Sequence, residues 1–326
     1  MLITRTPLRI SIGGGGTDLP SYYREHGATL ISAAIDKYIY ISINQTFVDD
    51  YFIKYSALER TRAIDDIEHP LVREALRLVN IGPGVEIVSM ADIPSGTGLG
   101  SSGSFTVGLL RALYAFRREP ASAHLLAEQA CHLEIDVLDQ PVGKQDQYIA
   151  AFGGLTCLEF HRDDSVTVSP LSISTSTMHD LEERLLLFFT GYARSAADIL
   201  TDQKVRTERK DQEMAASLDH AARLGRQIKI ELENGRLDRF GDLMHEHWTE
   251  KRRRSDGMSN AEIDEWYTLG LSNGARGGKL VGAGAGGFLL FYADRPDRLR
   301  AAMKEAGLTE VRFTFDHDGS TVLARG

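Results

Sequence analysis

Hydrophobic and polar positions alternate along "YIYISINQTFV" (residues 38–48) and "GVEIVSM" (84–90), and both runs are rich in β-branched residues, which predicts strands. Between them, "HPLVREALRLV" has the three-and-four spacing of a helix. "FTVGLLRALYAF" is apolar enough to predict a largely buried helix. "SAHLLAEQACHLEIDVL" predicts another, with Ser122 as N-cap and Leu126, Ala130, Leu133 and Val137 on one face. "GGLTCLEF" and "SVTVSPL" predict strands. A new pattern begins at Leu185: a strand "LLLFFTG", then long polar helices from about Ala196 to Gly277. Two glycine-punctuated apolar runs follow, "KLVGAGAGG" and "FLLFY", then a helix "RPDRLRAAMKEAG" and a last strand "EVRFTF". Strands first, and helices followed by strands later, predict an α+β fold. The pattern changes near residue 180, which suggests domains at 1–180 and 181–326.

Composition narrows the class. A chain of 326 residues, 42% hydrophobic and 25% charged, predicts a globular protein of two domains. Its net charge of −9 argues against a general nucleic-acid binder. No apolar run follows "MLITRTPLRI", so no secretory signal is expected, and no stretch is long enough to suggest a membrane span. Cys131 and Cys157 both lie in apolar patterns and fit a reducing cytoplasm better than a disulfide framework.

The chemistry concentrates in three glycine clusters. The first candidate, "IPSGTGLGSSGS" (93–104), carries no charge and satisfies G-x-G-x-x-G through Gly98, Gly100 and Gly103. A dinucleotide fold would need a second strand ending in an acid about 20 residues on. That interval holds "RREPASAHLL", a junction of two helices. A phosphate loop of the G-K-[ST] type also fails, because "GKQ" and "GKL" lack the hydroxyl. What remains is a strand, a glycine loop and a helix N-terminus, whose amides and dipole suit an anion. Ser101 and Ser102, at the helix start, could donate to phosphate or ligate Mg²⁺. The second cluster, "RTPLRISIGGGGTDLP", sets Arg9 on a strand before four glycines, Thr17 and Asp18, which suggests backbone in close approach to a ligand. The third, "GGKLVGAGAGGF", repeats the spacing through Gly282, Gly284 and Gly287 between two strand-like runs. There a hairpin connection packed on another backbone is a reasonable alternative.

In this order the clusters resemble the three motifs of the GHMP kinases, named for galactokinase, homoserine, mevalonate and phosphomevalonate kinases. The run P-x-x-x-G-L-G-S-S-[GA] is the most specific. "GGGGTDLPSYY" and "GARGGKLVGAGAGGFLLFY" are similar to one branch, the kinases of D-glycero-D-manno-heptose 7-phosphate, with fucokinase domains as relatives. The resemblance implies the two-domain GHMP fold: an N-terminal domain like ribosomal protein S5 domain 2 and a ferredoxin-like C-terminal domain. It implies ATP and Mg²⁺, with Gly96, Gly98, Leu99, Gly100, Ser101, Ser102 and Gly103 around the triphosphate. Ser102 and Glu134 would ligate the metal, Asp146 in "GKQDQ" would be the base, and Arg9 would sit beside it. Gly14, Gly15, Gly16, Thr17, Asp18 and Gly284 would face the acceptor. Helical spacing puts both Glu134 and Asp136 about 80° from the centre of the apolar stripe, so only the family spacing selects Glu134.

The chemistry asks for these groups. Phosphoryl transfer is mostly positioning and electrostatic stabilisation. A carboxylate within reach can take the hydroxyl proton, and a neighbouring cation favours its ionised form. Galactokinase-type motifs carry a glutamate and a histidine where this chain has Gly15 and Gly16, which suggests room for a larger acceptor already bearing a phosphate. "KRRR" (251–254), with Lys251 foremost, and Arg194 are the candidate phosphate contacts; basic residues at a helix end also serve simply as dipole partners. His245 and His247 point about 200° apart on a helix, so they form no metal pair. The expected enzyme is a cytoplasmic kinase that phosphorylates the anomeric oxygen of heptose 7-phosphate, with a homodimer admissible. Rival readings are a fucokinase-like sugar 1-kinase, a diphosphomevalonate decarboxylase, which would release CO₂, and a non-catalytic sugar sensor.

Overall fold

The first strand, β1 (Leu2–Gly13), runs through a glycine turn and helix α1 (Pro20–His26) into β2 (Ala28–Gln45), and the two pair antiparallel along most of their length. This computed structural model describes residues 1–191, 197–255, 257–282, 284 and 286–325. The 18 residues of β2 serve two further neighbours. Its second half pairs with β5 (Val85–Ala91) and its first half with β6 (Leu155–Phe160). The short strands β3 (Tyr51–Lys54) and β4 (Leu58–Thr61) extend the β5 edge, with β3 parallel to β5 across α2 (Pro70–Val79). On the other side β7 (Val166–Pro170) pairs with β6.

Helices cover this sheet. The predicted apolar helix is α3 (Ser101–Phe116), which packs on β1 and β2. Next comes α4 (Ala123–Cys131), capped by Ser122 Oγ, which accepts the Leu125 N–H at 3.1 Å. It passes into a π-helical turn at His132–Val137, and α5 (Gln145–Phe152) follows. That turn corrects one expectation: Leu126, Ala130 and Leu133 are buried, but Val137 is 44% exposed. Five-residue hydrogen-bonded rings rotate everything after His132 away from the α-helical wheel.

After α6 (Thr175–Arg184) a second sheet begins with β8 (Leu185–Phe189). The polar helices are α7 (Ala197–Glu208), α8 (Gln212–Glu233), α9 (Leu237–Lys251) and α10 (Ala261–Ser272). They end sooner than predicted, since β9 (Ala275–Leu280) is already strand, and β10 (Phe288–Ala293) and α11 (Pro296–Glu305) follow. The predicted last strand shrinks to β11 (Thr309–Glu310), and the chain closes on β12 (Thr321–Arg325). The second sheet has the order β11-β8-β10-β9, the ferredoxin-like arrangement. By contrast β12 returns to the first sheet, beside β1. The α+β expectation therefore holds. Our proposed division near residue 180 falls within α6, with β12 crossing back over it.

Candidate active site

Strand β1 delivers Arg9 to the mouth of a cleft of about 730 Å³ between the two sheets' loops. The Arg9 guanidinium donates to both oxygens of Asp146, from Nε at 2.7 Å and from Nη2 at 2.8 Å. Its Nη1 donates to the Gly98 carbonyl at 2.5 Å, and its backbone N–H to the Leu99 carbonyl at 3.0 Å. Asp146 sits in the first turn of α5, with its side chain 29% exposed to the cleft. Two glycines permit this approach. A Cβ at Gly100 (φ 78°) would stand 3.1 Å from Arg9 Cγ, and one at Gly103 would stand 2.8 Å from Asp146 Cβ.

The loop before α3 is built on alternate left-handed residues, Gly96, Gly98 and Gly100, a conformation that disfavours a side chain. Its back is covered by the third glycine cluster, which connects β9 to β10. A Cβ at Gly98 would lie 2.6 Å from the Val281 carbonyl oxygen, and one at Gly282 would lie 2.6 Å from Gly98 Cα. The hairpin alternative is thus the structure's answer for this cluster. Gly284, expected to face the acceptor, stands apart from the cleft lining: a Cβ there would lie 2.9 Å from Met258 Sδ and 3.2 Å from Ile199 Cδ1. Gly96, Gly98, Gly100, Ser101 and Ser102 do line it. Leu99 and Gly103 support the loop from behind, the first buried in the core and the second packed on Asp146. First-turn amides of α3 have no intrahelical acceptor, and Ser101 Oγ is buried without a partner, so the loop presents unused donors.

Beside that loop, the π-turn carries Glu134 inward to 1% exposure, while Asp136 stays on the surface with His132. The Glu134 carboxylate accepts from Ser102 Oγ at 3.3 Å, Thr106 Oγ1 at 2.5 Å and Gln147 Nε2 at 2.8 Å. Burial, chiefly, pushes it up to about 7, with Asp146 adding to the rise and the three donors opposing it. No described cluster of three or more His, Cys, Asp or Glu side chains is arranged to hold a metal. A buried carboxylate with only neutral donors, next to a serine hydroxyl and a phosphate-type loop, still suits Mg²⁺. That ion completes its shell with water and substrate phosphate rather than with an all-protein cage.

The first glycine cluster divides in two. Gly14 (φ 78°) packs on β2, where a Cβ would meet the Thr29 carbonyl oxygen at 2.4 Å, and the Thr17 hydroxyl donates to the Gly14 carbonyl at 2.7 Å. These two, expected to face the acceptor, hold the turn and are not among the residues lining the cleft. Gly15, Gly16 and Asp18 face it. Asp18 accepts the Gln145 N–H at 3.2 Å, and burial, followed by the Asp146 charge, raises its carboxyl above the usual range.

Lys251 lines the same end, its ammonium donating to the Gly282 carbonyl. Arg252 and Arg253 instead pair with Asp264 and Glu250 at the surface, and Arg194 lies outside the described residues. His245 and His247 diverge as predicted, the first bonding Tyr267 and the second entering the cleft. Sequence reasoning missed His247, Lys279 and Gln203 as cleft residues, although Lys279 lies inside the third motif. At the far end His69 stacks on Phe105 (5.1 Å between centroids) with Tyr55 edge-on, giving the cleft an apolar slot.

An anion-ready loop, a guanidinium-held carboxylate and a glycine turn around one cleft suit a phosphotransferase. The comparisons carry this further. Residues 70–154 match the GHMP kinases N terminal domain and residues 228–308 the GHMP kinases C terminal domain. The chain is 31% identical to the D-glycero-alpha-D-manno-heptose 7-phosphate kinase of Campylobacter jejuni, over 97% of each. It is 25% identical to the bifunctional fucokinase/GDP-fucose pyrophosphorylase of Arabidopsis thaliana, over 94% of this chain and 31% of that protein. A crystal structure of a D-glycero-D-manno-heptose 1-phosphate kinase from Bacteroides thetaiotaomicron superposes with a TM-score of 0.81 over 100% of both chains, at 23% identity. The chain belongs to the GHMP kinase family and is an ATP-dependent kinase.

Proposed function

We propose that this enzyme phosphorylates the anomeric hydroxyl of D-glycero-D-manno-heptose 7-phosphate, giving the 1,7-bisphosphate for nucleotide-activated heptose and surface polysaccharide. The observation that carries this reading is the Arg9–Asp146 pair, set between the glycine loop and the Gly15–Gly16 turn. The name of the Campylobacter jejuni relative supports the substrate, and the fucokinase relative is less similar. Asp146 accepts the proton of the anomeric hydroxyl as its oxygen bonds to the γ-phosphorus and the bond to ADP breaks. Arg9 holds both carboxylate oxygens, so Asp146 is oriented before the acceptor arrives. Amides of the loop and the first turn of α3 hold the phosphates, and Asp18 receives sugar hydroxyls. Ser102 and Glu134 would hold Mg²⁺, which neutralises phosphate charge when bound.

No described helix is long and apolar enough to cross a membrane, and we place the enzyme in the cytoplasm, where ATP is available. A homodimer would show as a doubled mass in sedimentation. The deciding assay compares heptose 7-phosphate with free galactose and fucose; equal turnover of the free sugars defeats the substrate assignment. In that assay Asp146→Asn should lower kcat by about 10²- to 10⁴-fold with the fold intact by circular dichroism. An unchanged rate removes Asp146 as base and readmits the sensor reading.

A further inference from the structure

Four basic side chains meet at the acceptor end of the cleft. His247 and Lys251 stand one turn apart on α9, Arg254 follows in the next turn of chain, and Lys279 comes from β9. Their exposures are 1%, 7%, 5% and 2%. Lys251 and Lys279 reach only backbone carbonyls, those of Gly282 and Ile12. Arg254 reaches Ser217 Oγ at 3.1 Å and the Gly15 carbonyl at 3.5 Å, and both ring nitrogens of His247 are unpartnered. None of the four makes an ion pair among the described residues, whereas Arg9 in the same cleft has Asp146. Burial lowers the proton affinity of all four, and the neighbouring cations add to this at His247, Lys251 and Lys279. Lys251 is drawn down to about 7, by burial first and then by Arg254 and Arg9, and His247 lies well below its ordinary value.

Buried charges are ordinarily paired or neutralised, and an unpaired group costs stability. Such a cluster is accounted for by a ligand that brings the missing charge, and one hydroxyl-rich neutral sugar cannot. Across from it, Gly16 (φ 94°) leaves the space that a side chain would take: a Cβ there would stand 2.6 Å from Arg254 Nη1. We infer that His247, Lys251, Arg254 and Lys279 form the receptor for a phosphate that the acceptor already carries, and so select phosphorylated over free sugars. The inference rests on the proposed reaction for the identity of the phosphate's carrier.

Kinetics of the wild type, Lys251→Met and Arg254→Met with heptose 7-phosphate and ATP test it, together with apo melting temperatures and calorimetric titration with inorganic phosphate. Removing Lys251 should raise KM for heptose 7-phosphate about a hundredfold, leave KM for ATP unchanged and weaken phosphate binding. It should also raise the apo melting temperature, because an unpaired buried charge is lost; a structural lysine would lower it. An unchanged acceptor KM, or a rise in KM for ATP instead, overturns the receptor while the proposed reaction stands on wild-type turnover. Should the wild type fail to turn over heptose 7-phosphate, the proposed reaction falls and inorganic phosphate decides the receptor. One bound phosphate lost in Lys251→Met upholds it, and no binding overturns it.

Discussion

Glu134 joins the features that make a single residue informative here: it is buried, its hydrogen-bond partners are neutral, and it makes no ion pair among the described residues. Its carboxyl is raised from an ordinary 4.5 to about 7. Between those values the folded chain holds a proton that the unfolded chain has released, so stability falls as pH rises from about 4.5 to about 7 and this contribution is flat beyond. In the presence of a chelator, Glu134→Gln should abolish that slope, a difference of up to about 3 kcal/mol by pH 7.5, read from urea midpoints. Added Mg²⁺ with an ATP analogue should stabilise the wild type well above the variant, by mass action. A slope that persists in Glu134→Gln would assign the titration to another group, such as Asp18, a second buried carboxylate with a raised value.

At the scale of elements, residue pattern and tertiary contact contribute separately. The glycine runs were legible as sites because few other residues tolerate φ near 80°, yet which backbone each glycine meets was not. Nothing in "GAGAGG" says that Gly282 will stand on Gly98 and Gly287 on Thr97. Glu134 and Asp136 could not be separated on an α-helical wheel because the helix changes to a π-turn at His132. Similarly, "EVRFTF" has strand composition, but only Thr309–Glu310 forms β11; its aromatic residues Phe313 and Phe315 join the core outside any strand. His247 and Lys279 gave no local sign, since an unpaired charge is defined by what the fold omits around it. The hairpin's contact with the glycine loop before α3 yields a test. Gly282→Ala places a Cβ 2.6 Å from Gly98 Cα at a φ of 84°. It should cost about 1–3 kcal/mol and weaken protection by ATP against thermal unfolding more than protection by the acceptor. Equal weakening of both would mean that the hairpin supports the whole cleft rather than the loop.

For the whole molecule, the two sheets do not enclose two separate cores. On β8, Leu185 and Leu187 belong with Leu8, Ile10 and Ile12 of β1 in one continuous cluster, to which α8 adds Met214, Leu218 and Ile228. The alternate residues Leu186 and Phe188 face the other way, into a smaller cluster with Trp248 and Leu299. Helix α8 is also pressed on the glycine turn after β1, where a Cβ at Gly225 would lie 2.6 Å from the Thr29 carbonyl oxygen and 3.1 Å from Gly14 Cα. With β12 returning to β1, neither half can leave without uncovering the larger core of the other. Ligand-free chain should therefore unfold in urea as one unit, despite its two-sheet architecture. The two tryptophans, Trp248 and Trp266, both pack in the smaller cluster and report on the second sheet, while far-ultraviolet circular dichroism reports on all helices. Coincident midpoints are expected. A fluorescence transition clearly preceding the dichroism transition would show a second sheet that opens alone. The cleft would then be assembled by ligands instead of standing ready for them.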